Sequence, residues 1–419
     1  MSQQRTRRGP GKRRDEGPID LQIDALGGLG DGIGRLPDGR VVMVANVTPG
    51  DRVRIRLSGR RAGVERGQLV QVLQASPQRR TAPCAVAGRC GGCAWQHVDL
   101  ALQQHTKAAV AGRALGPDSG SLAQAQAAPE WAYRRRVRLH LRRDRSGNLV
   151  VGFMGRGSGD LVAVVACPVL VPELASCFEP LQRWLHTHVE RAEVHATAGV
   201  EGVICAITAR PLPGAAPPEV DAVVAQGLGL VGLDLRFGSH HLTWGQRQVT
   251  LTETAEQLPI YVDGAGFCQA GAAGNAALRR VVSAEIDACG ELSSCQEFFA
   301  GSGNLSALLV GKIAQVRCVE HDSAAVGRAR ISLLGPESSP SSHFELVIAD
   351  ATEAAQTARN PELWLLDPGR PGAAELCRRA VELQPDHVVY ASCAANTLAR
   401  DLAILRDGGY NLRSATWLD

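Results

Sequence analysis

From about Tyr261 onward the sequence alternates short apolar runs with stretches of helical character, and no other feature narrows the fold as much. The runs EFFA, AQVRCVE, FELVIAD, LWLLD and HVVYASC are strand-length and apolar. NAALRRVVSAEI ahead of them and TLARDLAILRD after them carry the helical signal. Parallel neighbours in a sheet need a crossover connection, so this alternation predicts a parallel, doubly wound sheet over 261–419. Such sheets open their ligand crevice at the carboxyl ends of the strands. The residues that directly follow each run are therefore the first candidates for chemistry.

The first run leads into Glu297-Phe-Phe-Ala-Gly301-Ser-Gly303-Asn304-Leu305, where glycines after a strand let the backbone approach a ligand. A dinucleotide fingerprint would place a third glycine where Ser306 stands, which weakens a nicotinamide reading. Glu320 ends the second run, where an acid suits the two ribose hydroxyls of an adenosyl ligand; together the two signals favour S-adenosylmethionine. Asp350 ends the third run and either borders an adenine or caps the next helix. Asp367, in LLDPGR, has three readings: carrying a ligand, steering a substrate, or bonding to Arg370. Cys393 leaves the last run at the start of a helix, whose amides would favour a thiolate; the alternative is an inert core thiol.

At 419 residues the chain exceeds one compact core. Residues 1–18 hold Arg5, Arg7, Arg8, Lys12, Arg13 and Arg14 among Gly, Pro and Gln, a flexible basic tail that attracts phosphates or is merely solvated. Over 19–77 the pattern is one of short alternating strands: Leu21 and Ile23 share a face, and Val53, Ile55 and Leu57 alternate with Arg52, Arg54 and Arg56. With the turns GGLGDGIG and PGD between them, these strands predict a small closed barrel, either RNA-binding or generic. Residues 78–260 form a central α+β region. In its YRRRVRLHLRRDR stretch, Val137, Leu139 and Leu141 face one way and Arg136, Arg138, His140 and Arg142 the other, toward a phosphate backbone or solvent. LGPDSGSLAQAQAAPE (115–130) reads as a loop or weak helix.

A net charge of +3 does not by itself point to nucleic acid. No apolar run approaches the roughly 20 residues a membrane helix needs, and the N-terminus lacks the apolar core of a secretory leader. The expectation is a soluble, cytoplasmic chain without membrane contact. Nothing in it calls for an obligate protein partner or for more than a monomer.

Twelve cysteines without a secretory leader point to thiols and metal ligands rather than to a disulfide framework. Cys84, Cys90 and Cys93, in CAVAGRCGGCAWQH, can converge on one centre, with glycines allowing a tight turn. A fourth ligand is needed, and Cys167, followed by proline in VVACPVL, is the best candidate; His97 is the other. Spacing does not separate zinc from an iron–sulfur cluster.

Read together, GLGDGIGRLPDGRVVMVANVTPGDRVRIRL, the CGGC cysteines with CP downstream, FCQAG (267–271), FFAGSGN, LLDPGR and YASCAANTLARDL resemble the RNA (uracil-5-)methyltransferases. The likeness is to the branch with a TRAM domain and a [4Fe–4S] cluster that acts on 23S ribosomal RNA, and it runs in order from about residue 19 to 419. The resemblance implies an OB-like TRAM barrel that grips RNA, an iron–sulfur-containing centre and a Rossmann-like methyltransferase domain. Cys84, Cys90, Cys93 and Cys167 would hold the cluster. Gln269, Phe299, Asn304, Glu320, Asp350 and Asp367 would surround S-adenosylmethionine, and Cys393 would be the nucleophile toward C6 of uracil.

Some positions depart from the family pattern. Gly271 stands where the family has Asn, and Ala394-Ala395 where it has Asn-Pro. The resemblance also implies a tail with His and a basic glutamate beyond GYNLRSATWLD, and no residue here inherits that role, so impaired turnover or truncation is part of the expectation. The rivals are a non-catalytic RNA-binding paralogue, a transfer-RNA uracil methyltransferase, and a methyltransferase for another substrate, in which the barrel and Cys393 would be idle.

Overall fold

The structure is a computed structural model that describes residues 17–125, 129–251, 258–335, 341–357 and 361–419; the basic cluster Arg5 to Arg14 lies outside them. The chain divides into two compact units, one running to Thr106 and one from Lys107 to Asp419.

In the first unit, β1 (Ile19–Leu26), β2 (Gly32–Arg35), β3 (Val41–Val44), β4 (Arg52–Arg61) and β5 (Val64–Gln74) close a barrel in the order β1-β2-β3-β5-β4. Period-two alternation does this work. Leu21, Ile23, Val42, Val44, Val53 and Ile55 fill the interior, while Arg52 and Arg56 point out. The buried Asp51 accepts from the Thr48 and Ser76 N–H groups (2.7 and 2.8 Å) and pairs with Arg79, tying the PGD turn to the barrel's exit strand. The cysteine turn 84–93 belongs to this unit.

Among its described residues the second unit holds two large sheets and two short two-stranded pairings. A seven-stranded sheet is ordered His240–Gly245, Leu230–Phe237, Gly202–Pro211, Val189–Gly199, Arg136–Arg143, Leu149–Met154, Leu161–Ala163. Its one parallel pair, Gly202–Pro211 with Leu230–Phe237, is joined by the helix Ala222–Leu228, capped by Asp221 at one end and a left-handed Gly229 at the other. Val137, Leu139 and Leu141 are buried as their alternation requires. The 115–130 stretch differs from a loop or weak helix: it contains a 3-10 turn, Gly116–Ser121, and a strand, Leu122–Gln124, that pairs with Ala415–Trp417. That partner is remote in sequence, so local pattern does not reveal it.

The five expected apolar runs form the second, wholly parallel sheet. Its order is His343–Ile348, Gln315–Glu320, Ser294–Phe298, Leu363–Leu366, His387–Tyr390. Two cores cover its faces. Helices Ala272–Asp287 and Ser323–Leu334 pack on one through Val282, Ile286, Ala329 and Leu333. Helices Ala351–Gln356, Ala374–Leu383 and Ala395–Asp407 pack on the other, around Phe298 and Trp364. The strand order reverses between Ser294–Phe298 and Leu363–Leu366, which opens a crevice at their carboxyl ends. No helix among the described residues is long and apolar enough to cross a membrane.

Candidate active site

The register of the parallel sheet brings the expected site residues to one edge. Phe298 pairs with Val319 and Leu366, Glu320 with Ile348, and Leu366 with Tyr390. Phe299, Glu320, Asp350, Asp367 and Cys393 therefore all lie at or just past strand ends.

The turn after the first strand is strained and braced. Phe299 has φ of 65°, a conformation costly for a bulky side chain, and Gly301 and Gly303 follow at 58° and 88°. Glu320 stitches this turn to the second strand. Its Oε2 accepts the Gly301 N–H and its Oε1 the Asp322 N–H, each at 2.9 Å. Ser302 accepts from Arg328 Nε (3.0 Å), and Arg328 pairs with Asp263. Asn304 exchanges two amide bonds with Asn275, at 2.8 and 3.0 Å, so its amide is held by the helix Ala272–Asp287. Asp350 caps the helix Ala351–Gln356 by accepting from Thr352 N–H at 2.8 Å. The capping role is thus present.

Asp367 is half-buried, and burial pushes its carboxyl up to about 6. It has no hydrogen-bond partner among the described residues, so the Arg370 pairing does not form. Below it on the same sheet face lies Glu297, 2% exposed, which accepts from the Ser306 hydroxyl and from the Cys318 thiol (3.5 Å). Burial pushes Glu297 up to about 8; the two donors pull it down, and the Asp367 and Glu320 carboxylates push it further up. Pattern reasoning misses this residue, although an acid inside the apolar run QEFF is a signal for it.

Cys393 is exposed rather than buried in a core, and stands just before the helix Ala395–Asp407. The helix N-cap, Ala394, offers no side chain; Ser392 Oγ instead accepts the Ala394 N–H at 3.2 Å. Gln269 is half-buried in a segment zipped to the seven-stranded sheet by Arg135 N–H to Ala270 O (2.8 Å). At Gly271 a Cβ would meet the Tyr133 ring at 3.2 Å, so the glycine makes room for that tyrosine.

The arginines expected to face phosphates are engaged internally. Arg136 donates to Gly266 O (2.9 Å) and Ala265 O (3.1 Å) and lies 6.0 Å from the centroid of the exposed Phe267 ring. Arg138 pairs with Glu193 at 2.7 Å, and Arg142 donates to Gly159 O at 3.1 Å.

In the first unit, burial pushes the Cys90 thiol up, the Gly92 N–H at 3.4 Å opposes this, and the Cys93 and Cys84 sulfurs add to it. Three soft thiols on a glycine-rich turn suit a thiolate-bound centre chemically. Among the described residues, however, no group of three or more His, Cys, Asp or Glu side chains is drawn together tightly enough to hold a metal ion. His97 Nε2 lies 3.1 Å from Val47 O. Cys167 is half-buried, in the second unit.

No family model matches the chain. It is 32% identical to the 23S rRNA (uracil(1939)-C(5))-methyltransferase RlmD of Chromohalobacter salexigens, across 99% of this chain and 89% of that one. The protein of the same name from Pectobacterium atrosepticum is 31% identical, across 96% and 90%. An RNA methyltransferase of Thermosynechococcus vestitus is 32% identical, across 96% and 94%. Among solved structures, the Pyrococcus abyssi tRNA (uracil-54, C5)-methyltransferase in complex with S-adenosyl-L-homocysteine has a similar fold. Its TM-score is 0.71 at 19% identity, with 95% of each chain covered.

Proposed function

This chain belongs to the RNA (uracil-5-)methyltransferases, and from that premise we propose that it methylates C5 of a uracil in RNA, with 23S ribosomal RNA as the substrate class. The observation that carries the reading is the exposed Cys393 thiol on the same strand-end edge as Asp367 and the braced turn 299–304.

S-adenosylmethionine supplies a methyl group on a positively charged sulfonium. Glu320 takes its ribose hydroxyls, Phe299 and the glycine turn line the adenosine, and Asp350 borders the base. Asn304, Gln269 and Asp367 complete the pocket, with Asp367 also turned to the target uracil. C5 of uracil is a poor nucleophile on its own. Attack by the Cys393 sulfur on C6 forms a carbon–sulfur bond and pushes the ring electrons to an enolate, whose C5 displaces the methyl group from the sulfonium and leaves a neutral thioether. The C5 proton then passes to water or to a base other than the residues assigned above, and those electrons expel the thiolate. The uracil must leave its stack for C6 to be reached, which accounts for a barrel and a second RNA-facing unit on one chain.

Cys84, Cys90 and Cys93, with Cys167 as the fourth ligand expected from the sequence, would hold a [4Fe–4S] cluster once the ligand draws them together. The donor set and the N–H contact to Cys90 support this. Anaerobically purified protein then contains iron and sulfide, and Cys90→Ser loses both; stoichiometric zinc instead would replace the cluster with a zinc site.

The test of the activity is 5-methyluridine formation from methyl-labelled S-adenosylmethionine on ribosomal and transfer RNA transcripts. Label in ribosomal RNA, and none with Cys393→Ala, is the expected result. Label only in transfer RNA would move the substrate class. A folded, cofactor-binding protein that labels neither would leave an RNA-binding paralogue.

A further inference from the structure

The helix Ala395–Asp407 begins immediately after Cys393, and Thr397, Arg400 and Asp401 lie on one of its faces by their i, i+3, i+4 spacing. Asp401 is 0% exposed. Its Oδ2 accepts from the Ala373 N–H and from the Tyr390 hydroxyl, both at 2.7 Å. Its Oδ1 accepts from Arg400 Nε at 2.8 Å and Nη2 at 2.7 Å. Arg400 Nη2 also donates to Pro371 O at 2.9 Å. The Thr397 hydroxyl reaches Arg370 O and Ala394 O, both at 3.1 Å, and shares its single proton between them. A carboxylate this deeply buried is expensive unless every lone pair is used, and here four donors use them.

These partners are not spread at random. Tyr390 ends the strand that delivers Cys393, and residues 370–373 form the loop that leaves Asp367. Gly372 sits in the middle of that loop with φ of 75°, and a Cβ there would come within 2.5 Å of Asp401 Oδ2 and 2.7 Å of Arg400 Nη2. The loop has been pressed onto the helix until only glycine fits. One buried carboxylate thus ties together the strand before the nucleophile, the loop behind the acid and the helix after the nucleophile.

We propose that Asp401, with Arg400 and Thr397, is a positioning clamp that sets the separation of Cys393 from Asp367 and so governs the chemical step without touching substrate. The proposal rests on the methyltransferase reading above. A displacement of about 1 Å between reacting groups costs on the order of a hundredfold in rate, so loosening the clamp acts on kcat. Most of the cofactor contacts proposed above come from the glycine turn and Glu320, which the clamp does not touch, so binding changes less than kcat.

The experiment uses the full chain and four variants: Asp401→Asn, Gly372→Ala, and the pair Thr397→Val and Thr397→Ser. Asp401→Asn and Gly372→Ala are expected to lower kcat roughly 10- to 100-fold, with KM for S-adenosylmethionine and RNA within about twofold of wild type. Thr397→Val lowers kcat less, and Thr397→Ser, which restores the hydroxyl, recovers it. In parallel, the rate at which iodoacetamide alkylates Cys393, read by mass spectrometry, shifts in the first two variants and returns to the wild-type value in Thr397→Ser. Unchanged kcat in folded Asp401→Asn and Gly372→Ala overturns the clamp. So does a rise in both KM values that parallels the loss of kcat, because that is general loosening. Should the wild-type chain itself transfer no methyl group, the activity reading fails, and the alkylation rates still decide the clamp: unchanged rates overturn it.

Discussion

At the carboxyl edge of the parallel sheet the chain completes its own geometry. Glu320 is held by two backbone N–H groups, Asn304 by Asn275, and Asp401 by four donors. The turn 84–93 contrasts with it: Cys90 Sγ accepts from the Gly92 N–H, and among the described residues the thiols are not gathered into a group that could hold a metal ion. The first site is organised by hydrogen bonds whose cost is met during folding. In the turn 84–93 a ligand would have to meet that cost, because bringing thiolates together without a metal concentrates negative charge. The proposed site at the sheet edge is pre-organised and the cysteine turn is not, so the two are expected to respond differently to mutation.

The largest effect expected is at the proposed nucleophile. Cys393→Ala should reduce methyl transfer by about four orders of magnitude or more, while filter binding of RNA and calorimetric binding of S-adenosylmethionine remain. It should also remove any gel-stable protein–RNA adduct. Loss of RNA binding along with activity would mean that the edge is not pre-organised.

Next comes Glu297. Its carboxyl is raised from 4.5 to about 8 in the folded protein, so its contribution to stability is fully present below pH 4.5 and is lost as pH rises through about 8. Each pH unit across that window is worth about 1.36 kcal/mol, so urea unfolding should show wild type losing up to about 5 kcal/mol relative to Glu297→Gln, which cannot ionise. Asp367 acts in the same direction over the lower window from 3.8 to about 6. Parallel pH profiles for wild type and Glu297→Gln would show that the buried acid is not what organises the strand.

A smaller change is expected at Glu320, where Glu320→Gln keeps the shape and removes the charge. S-adenosylmethionine should bind roughly 10- to 100-fold more weakly, the scale of a lost charged hydrogen bond, with barrel stability untouched. The smallest concerns the arginines of the Arg136–Arg143 strand. Arg138 already spends its charge on Glu193, so Arg138→Ala should change the slope of log K against log salt by less than about 1. A full unit would mean that the pair opens to meet phosphate.

Much of this was legible in the sequence because it depends on pattern and topology. Alternation fixed which faces of the barrel and of the Arg136–Arg143 strand are buried, and five apolar runs sufficed for the parallel sheet. The candidate edge followed, since a doubly wound sheet gathers its strand ends on one side. What escaped were partners rather than positions. Periodicity places Arg136 on a face but does not show that the carbonyls of Ala265 and Gly266 wait there. Nothing in the helical pattern of TLARDLAILRD marks Asp401, whose partner Ala373 N–H lies in the loop 370–373, 28 residues earlier in the chain. Asp350 presents the same carboxylate to a cap as to a ligand, and only the observed N–H contacts assign the cap.

The pairing of Leu122–Gln124 with Ala415–Trp417 has a consequence for how the protein is made. The same seam is held by Arg406 to Asp118, groups 288 residues apart in the chain. At roughly 5–20 residues per second, a ribosome leaves the early half of this seam waiting about 15 to 60 s for its partner. During that interval the barrel, whose strand pairings all lie within residues 19–74, can already be complete. The second unit remains open along an unpaired strand, which makes nascent chains of this length the form most exposed to proteases and to association with one another.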